Sequence, residues 1–485
     1  MTITETTKAP EAGGYGEAQA LFEEARRRRR RRWVLGWIVV LIVGSAAVTV
    51  SHSDNAAIRS SRAHPNSPPA TLVSYPGSPD PRCNGGRPLY LGQSSNVPPS
   101  VYLTAAEPNG ITLVGVPTGS GRQSALALYA VNRSCSPDRG FGSGGVATLR
   151  FPMALPTEVE PINAMATERN GDILLAGGSG GYPWTIGRLL PDGHIDESFG
   201  NKGWVAITSS RWDSGSVNPA ATSIAETGTG TIVVAGNDGA ALCCSRAYVY
   251  ELTSTGQVND SFGHDGSIEV LPQGQYLPQL YPQPSGDIVV TGVAQSMECG
   301  ATSLSMLGSS GRVLPTDERN LTETAEQLRP TQFFAGTGFQ FPDGSFGIAG
   351  TGGANCDLPQ GPRRGFGVVE QLQPDGSLDP RYGSQGHAYF QAMQSIKSWA
   401  VPTHGGGVVV VSEEFDSVNS NSTVIQLTSV SPHGVLDRGF GGHGQTQLDM
   451  PSQFRLDEAV TTGPRGDIVL VLGSKRAAKV VFLTA

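Results

Sequence analysis

Short apolar runs bounded by glycine recur along the chain at a nearly constant spacing. Each copy reads Gly, one variable residue, a run of Val, Ile or Leu, and usually a second Gly. The first glycines of the seven copies are Gly110, Gly171, Gly230, Gly286, Gly344, Gly407 and Gly466. The steps between them are 61, 59, 56, 58, 63 and 59 residues. A period of this kind is typical of repeat architectures, including propellers.

A turn motif, Asp-x-x-Phe-Gly-x-x-Gly, recurs between the apolar runs. Its clear copies begin at Asp138, Asp196, Asn259, Asp379 and Asp437. Two copies depart from it: Cys83 stands at the aromatic position of the first, and the copy after Gly311 loses Phe-Gly, with Asp317 in that place. We expect the Asp side chain to cap the turn and the aromatic side chain to pack between neighbouring sheets.

Each unit supplies four strand candidates. In the unit that starts at the Phe199 turn they are Val205 to Thr208, Ser223 to Glu226, Thr231 to Ala235 and Ala247 to Leu252. A single sheet of this length cannot bury both faces, whereas stacked copies closed into a ring can. The pattern predicts an all-β fold, a seven-bladed β-propeller of four-stranded blades over residues 70–485. Pairing of Thr71 to Tyr75 with Lys479 to Leu483 would close the ring, but the sequence does not fix which strand opens each blade.

The phrases from Pro191 to Gly200 and from Pro374 to Gly383 resemble the bacterial delta-60 repeat, a propeller-forming family. The similarity covers nearly all of residues 70–485, and the turns at Cys83 and Asp317 depart from it. The resemblance implies a β-propeller on exported bacterial proteins. It implies no settled activity and therefore no catalytic residues.

An apolar segment precedes the repeats. Residues 1–32 are a polar tail that ends in seven arginines, Arg26 to Arg32, and Trp33 to Val50 then runs without a charge. As a helix this run spans about 27 Å, enough for the hydrocarbon core of a bilayer. The arginines favour a cytoplasmic tail, so residues 51–69 would be a flexible linker to an extracytoplasmic propeller. A cleaved signal peptide and a buried soluble helix are the alternatives.

Six cysteines lie beyond the apolar segment: Cys83, Cys135, Cys243, Cys244, Cys299 and Cys356. An exported protein meets an oxidising environment in which disulfides persist. Cys83 and Cys135 occupy adjacent turn regions and are the first choice for a pair. The other four fall in equivalent loops of three successive units, where disulfides, free thiols and a metal site compete. The adjacent pair Cys243-Cys244 lacks the Cys-x-x-Cys spacing of structural zinc sites.

The remaining composition narrows the function classes. The chain has 42 acidic and 34 basic residues, and seven of the basic residues are the arginines of the tail. An acidic body disfavours nucleic acid as a partner. No phosphate loop, zinc-protease motif or nucleophile elbow is present, so no cofactor, metal or catalytic residue is predicted. The turn histidines, among them His194, His264 and His387, are expected to be solvated.

Loops on the propeller rim are the predicted working surface, because binding residues gather on loops of a rigid scaffold. Arg211 and Trp212 lie in one long insertion and are the candidate binding residues. The main hypothesis is a monomeric, membrane-anchored extracytoplasmic binding or scaffolding module for an envelope protein, a cell-wall glycan or a secreted ligand. The alternatives are an extracytoplasmic glycan-acting hydrolase or lyase with its site in the central mouth, and a sensor. Converging carboxylates or histidines in a deep pocket would favour the enzyme, and an apolar rim would favour binding.

Overall fold

The computed structural model describes residues 76–485 except for 93–102, 119–124, 151–161, 179–182, 209–219, 239–245, 272–274, 296–299, 316–333, 342–344, 353–363, 374–375, 394–397, 415–421, 452–453, 464 and 475–477. These residues belong to one compact unit, Thr71–Ala485. The predicted tail, the apolar segment 33–50 and the linker lie outside the described residues. Within the described part of the chain, no helix is long and apolar enough to cross a membrane.

The described strands form seven four-stranded antiparallel sheets, which are the blades of a β-propeller. The first strand along the chain is β1 (Leu89–Leu91). Blade 1 contains β2 (Leu103–Ala106), β3 (Thr112–Thr118), β4 (Ala125–Val131) and β5 (Val146–Arg150). Blade 2 contains β6 (Ala164–Thr167), β7 (Ile173–Gly177), β8 (Trp184–Leu189) and β9 (Trp204–Ile207). Blade 3 contains β10 (Ala220–Glu226), β11 (Ile232–Asn237), β12 (Ala247–Leu252) and β13 (Ser267–Glu269).

The second half of the ring repeats this plan. Blade 4 contains β14 (Gln275–Pro282), β15 (Ile288–Gln295), β16 (Gly300–Leu307) and β17 (Val313–Leu314). Blade 5 contains β18 (Phe334–Gln340), β19 (Phe346–Gly352), β20 (Arg364–Leu372) and β21 (His387–Met393). Blade 6 contains β22 (Ser398–Pro402), β23 (Val408–Glu414), β24 (Ser422–Val430) and β25 (Gln445–Pro451). Blade 7 contains β26 (Arg455–Thr462), β27 (Ile468–Gly473) and β28 (Ala478–Leu483), with β1 as its fourth strand.

Strand β1 closes the ring. It pairs antiparallel with β28, with Leu89 opposite Val480. The predicted closing partner, Thr71 to Tyr75, lies outside the described residues, so the prediction named the right C-terminal strand and a different N-terminal one. Gly77 N donates to Thr484 O (2.6 Å), and Thr484 N donates to Ser78 O (3.0 Å). These two bonds form, between the N-terminal and the C-terminal segments, a turn that other blades form within one chain segment.

Burial explains why the glycine-bounded runs stand out in the sequence. All residues of β11 and β27 are buried, because neighbouring blades cover both faces of these central strands. The outer strand β5 instead alternates between buried and exposed residues, as a half-covered strand does. The apolar signal therefore comes from the blade centre. The first strand of the predicted unit, Val205 to Thr208, corresponds to β9, which is the outer strand of the preceding blade.

Blade 4 departs from the others at its outer edge. In β17, Val313 pairs with Leu307. The corresponding pair in blade 2 is Ile195 with Leu189, which lies in the short segment just before the repeated turn. We call this segment the lead-in, and β17 is the lead-in of blade 4. The sequence that follows it lacks Phe-Gly, and residues 316–333 lie outside the described residues.

Candidate functional site

The repeated turn is held by its acidic residue. In blade 1, Asp138 Oδ1 accepts a hydrogen bond from Gly140 N (3.0 Å), and in blade 2, Asp196 Oδ1 accepts one from Ser198 N (3.0 Å). The predicted capping role of the Asp is confirmed. This turn and the hairpin between the first two strands lie on the same rim, because Arg188 contacts both Asp196 and Glu168. We call this the turn rim.

The aromatic residue of the turn packs into the seam, the interface between successive blades. Phe141 of blade 1 is 2% exposed and packs with Leu128, Ile173 and Leu189, so it joins the cores of blades 1 and 2. A Cβ added to Gly193 in the lead-in of blade 2 would lie 2.8 Å from the Phe141 ring, and Gly193 has a φ of +84°. Only glycine satisfies both conditions. We call the ring the plug and Gly193 the lead-in glycine.

The same pairing recurs around the ring. A plug lies against a lead-in glycine in the pairs Phe141–Gly193, Phe199–Gly256, Phe262–Gly311, Tyr382–Gly434 and Phe440–Gly77. The backbone reinforces each contact: in the first seam, Gly142 N donates to Asp192 O (2.7 Å), and in the last, Gly441 N donates to Pro76 O (2.9 Å). The prediction that the aromatic fills the space between neighbouring sheets is confirmed.

A disulfide replaces this pairing between blades 7 and 1. Cys83 stands at the plug position and Cys135 at the lead-in position, and the two are bonded with their Cα atoms 5.1 Å apart. The predicted pair is therefore confirmed. Arg465 Nη2 lies 3.0 Å from both Asp80 Oδ2 and Asp467 Oδ2, and Arg82 Nη2 contacts Asp467 Oδ1 at 3.1 Å.

Asp80, Cys83 and Asp467 are close enough in space to hold a metal ion. However, the Cys83 sulfur is bonded to Cys135, and both carboxylates already face guanidinium groups. Burial would raise the pKa of Asp80, but hydrogen bonds from Arg82 and the nearby Arg465 lower it below its usual value. Ion pairs therefore occupy both carboxylates and lie beside the disulfide.

A cavity of about 300 Å³ lies in the seam between blades 4 and 5. We call it the blade 4–5 cavity. Its apolar wall is formed by Val289, Leu304, Met306, Phe346 and Leu372, with Gly376 beside them. Pro284 and Ser285 also line it and are exposed, so the cavity reaches the surface at the turn rim.

The wall of the cavity corresponds to the surroundings of a plug. Strand pairing places Val289 opposite Met306, as it places Leu113 opposite Ala130 in blade 1. Hairpin hydrogen bonds align Ser345 with Asp172, which makes Phe346 the counterpart of Ile173. Gly376, with a φ of +84°, is the lead-in glycine. The cavity therefore occupies the place that the Phe141 ring fills between blades 1 and 2.

The described lining of the cavity contains no titratable side chain. Its polar members, Gln283, Ser285, Ser345 and Gln373, are amides and hydroxyls that bond mainly to the protein itself. Ser345 Oγ, for example, accepts from Gln371 Nε2 (2.7 Å), and Gln373 Nε2 donates to Leu378 O (3.2 Å). An apolar pocket with a few fixed polar groups is suited to binding a ligand.

A cluster of carboxylates surrounds Arg188 on the turn rim of blade 2. Arg188 Nη2 lies 2.6 Å from Asp196 Oδ2, its Nη1 lies 3.7 Å from Glu168 Oε2, and its Nε lies 3.9 Å from Asp172 Oδ2. Burial, opposed by Arg188 and supported by Asp172, raises the pKa of Glu168 to about 7. Glu168 is only 5% exposed, so this group is positioned to stabilise the blade and not to meet a large substrate.

His387 corrects one sequence expectation. It was expected to be a solvated turn residue, but it is 8% exposed at the start of β21, with Nε2 3.3 Å from Glu370 Oε1. Burial opposes its charge, yet the contact with Glu370 raises its pKa. The expectation was wrong because the sequence of the turn does not show that His387 packs against Glu370 and stacks on Tyr389. His194 and His264 are exposed, as predicted.

The other predicted site residues lie outside the described residues. These are Arg211, Trp212, Cys243, Cys244, Cys299 and Cys356. Their roles stay predictions. Sequence reasoning did not predict the blade 4–5 cavity, although the missing Phe-Gly after Leu314 was a signal for it.

No protein-family model matches the chain, and no curated protein matches its sequence. Among solved structures, the polysaccharide lyase Uly1 is 11% identical with a TM-score of 0.45, over 81% of this chain and 92% of that chain. An ulvan lyase from a new polysaccharide lyase family is 10% identical with a TM-score of 0.45, over 82% and 96%. A glycoside hydrolase is 11% identical with a TM-score of 0.32, over 81% and 97%. The likeness of this chain to these proteins concerns the fold alone.

Proposed function

We propose that the protein is a membrane-anchored, extracytoplasmic β-propeller that binds an envelope protein or a secreted peptide through the blade 4–5 cavity. The observation that carries this proposal is an apolar cavity that reaches the surface and has no titratable side chain in its described lining. Loops and seams on a rigid scaffold are common positions for recognition.

The location rests on two independent features. The run from Trp33 to Val50 follows seven arginines, which is the arrangement of a signal anchor with a cytoplasmic tail. The Cys83–Cys135 disulfide suits a propeller outside the cytoplasm. The resemblance to delta-60 repeats agrees with export. A protease added to intact cells should digest the propeller, and full protection of the propeller would contradict the location.

Comparative capture tests the binding function. Full-length protein in detergent is used to retain proteins from an envelope extract, alongside Leu304→Trp, which fills the cavity from its wall. Val435→Trp is the matched control, because Val435 is 61% exposed and does not line the cavity. We expect at least one protein to be retained by the wild type and by Val435→Trp and lost with Leu304→Trp. Identical retention by all three proteins would contradict the proposal.

A glycan-acting hydrolase or lyase is the second candidate. The observation in its favour is Glu168, because a carboxyl group with a pKa of about 7 is suited to acid–base catalysis near neutral pH. Its burial stands against it. Release of new reducing ends from uronic acid-containing polysaccharides by the wild type, and its loss in Glu168→Gln, would support the enzyme and assign Glu168 to it. Absence of any release with a panel of such polysaccharides would reject it.

A further inference from the structure

We infer that the blade 4–5 cavity is a receptor for an aromatic side chain, a Phe or Tyr followed by glycine, that a turn of the partner presents. This inference rests on the proposed binding function and names the chemistry of the partner. It follows from the internal repeat of the propeller itself, because the equivalent space in five other seams holds such a ring.

The walls of the blade 4–5 cavity match those around a plug. Around Phe141, the blade 1 side is built from Leu113, Leu128 and Ala130. The blade 4 side of the cavity has Val289, Leu304 and Met306 at the corresponding positions. Each of these residues is apolar, so the chain keeps the walls of a ring-binding site in the seam where its own turn sequence lacks the ring.

The blade 4–5 cavity also keeps the glycine against which a ring lies. In the filled seams the lead-in glycine has a positive φ and presents no Cβ to the ring, as Gly193 does toward Phe141. Gly376 keeps the same φ of +84° and lines the cavity. An incoming ring therefore finds the close backbone approach that the internal plugs use.

The blade 4–5 cavity is large enough for an aromatic ring. A cavity of about 150 Å³ lined by apolar side chains is enough to bind benzene, and this one measures about 300 Å³. It therefore has room for a phenyl or phenol ring together with its Cβ and part of the adjoining backbone. The Met306 sulfur and the Phe346 ring are groups that make favourable contacts with aromatic rings.

The experiment uses a peptide copied from the protein's own turn, Asp-Glu-Ser-Phe-Gly-Asn-Lys-Gly (Asp196 to Gly203), and the same peptide with Ala in place of Phe. Each is titrated by calorimetry into the full-length protein in detergent, as wild type, Leu304→Trp and Val435→Trp. We expect the Phe peptide to bind the wild type and Val435→Trp alike. The Ala peptide, and the Phe peptide with Leu304→Trp, should each bind about tenfold more weakly or worse, because burial of the ring supplies the affinity.

Equal affinity for the two peptides, or no binding of the Phe peptide to the wild type, overturns the inference. Val289→Phe, which fills the cavity from the neighbouring strand, replaces Leu304→Trp if that variant does not fold. The binding function and the inference of an aromatic ligand can be contradicted independently of each other. If Leu304→Trp loses an envelope partner in the capture experiment while no Phe peptide binds, the aromatic inference is wrong and the binding function stands. If capture is insensitive to Leu304→Trp, the proposed function fails.

Discussion

The seam between blades 1 and 2 and the seam between blades 4 and 5 have apolar walls at corresponding positions, but different contents. In the first, Phe141 joins the two blades and is 2% exposed. In the second, a cavity of about 300 Å³ occupies the corresponding place. The seam that contains a plug is therefore packed core, and the seam whose turn sequence lacks Phe-Gly contains an apolar cavity that opens to the surface.

A propeller seam can therefore contain an apolar cavity while the strands that form its walls keep their register. Plugs pack between the blades in five other seams, and a disulfide joins blades 7 and 1 covalently.

Removal of a plug should have the largest effect. Phe141→Ala leaves a cavity in a packed seam, and we expect a loss of about 3–5 kcal/mol in the free energy of unfolding, measured by urea denaturation. Leu304→Ala is the matched control, because Leu304 is half-buried beside an existing cavity and should cost far less. Equal losses in the two variants would show that the seams do not differ in packing.

Removal of the disulfide should have the next largest effect. Cys83 and Cys135 are separated by 52 residues along the chain. Replacement of both by Ala should lower the free energy of unfolding by about 2–4 kcal/mol, because the unfolded chain gains freedom. The urea midpoint of the double variant should match that of the wild type in reductant. A double variant as stable as the oxidised wild type would show that the disulfide does not stabilise the propeller.

The same kind of overpacking substitution should have different effects on stability in the two seams. Leu128→Trp adds volume beside Phe141 and should cost about 1–3 kcal/mol. Leu304→Trp adds the same volume at the corresponding position beside the cavity and should leave the urea midpoint nearly unchanged. If both variants lose the same stability, the blade 4–5 cavity does not offer space for a ring.

The smallest effect concerns the carboxylates on the turn rim. Burial raises the pKa of Glu168 to about 7 from 4.5, so its contribution to stability is complete below pH 4.5 and is lost as the pH rises through 7. Glu168→Gln should therefore flatten the decline in melting temperature between pH 4.5 and 7. An unchanged pH profile would show that Glu168 does not titrate in this range.

The sequence predicted most of the fold because each blade repeats the same requirements. The central strands are buried on both faces, the turn needs Asp138 or its equivalents, and the seam needs a ring such as Phe199. The pairing of Cys83 with Cys135 followed from their positions in adjacent turns. All of these signals are local to one unit or to two neighbouring units.

The rest depends on how units meet in space. The sequence did not identify Leu89–Leu91 as the closing strand, because this strand is short and the preceding Thr71 to Tyr75 has a stronger apolar signal. The burial of His387 depends on its pairing across two strands with Glu370, which the sequence of the turn does not show. The cavity arises from a missing ring, and the sequence alone does not show what takes the place of a missing side chain.

A crystal structure of the full-length protein in complex with the Asp196 to Gly203 peptide would test most directly whether the blade 4–5 cavity binds an aromatic side chain. We predict electron density for the peptide's Phe ring between the walls formed by Val289 and Leu372, with its following glycine near the turn rim. Density showing the cavity filled by the protein's own side chains, or the peptide bound elsewhere, would contradict the claim that the blade 4–5 cavity receives a partner's aromatic side chain.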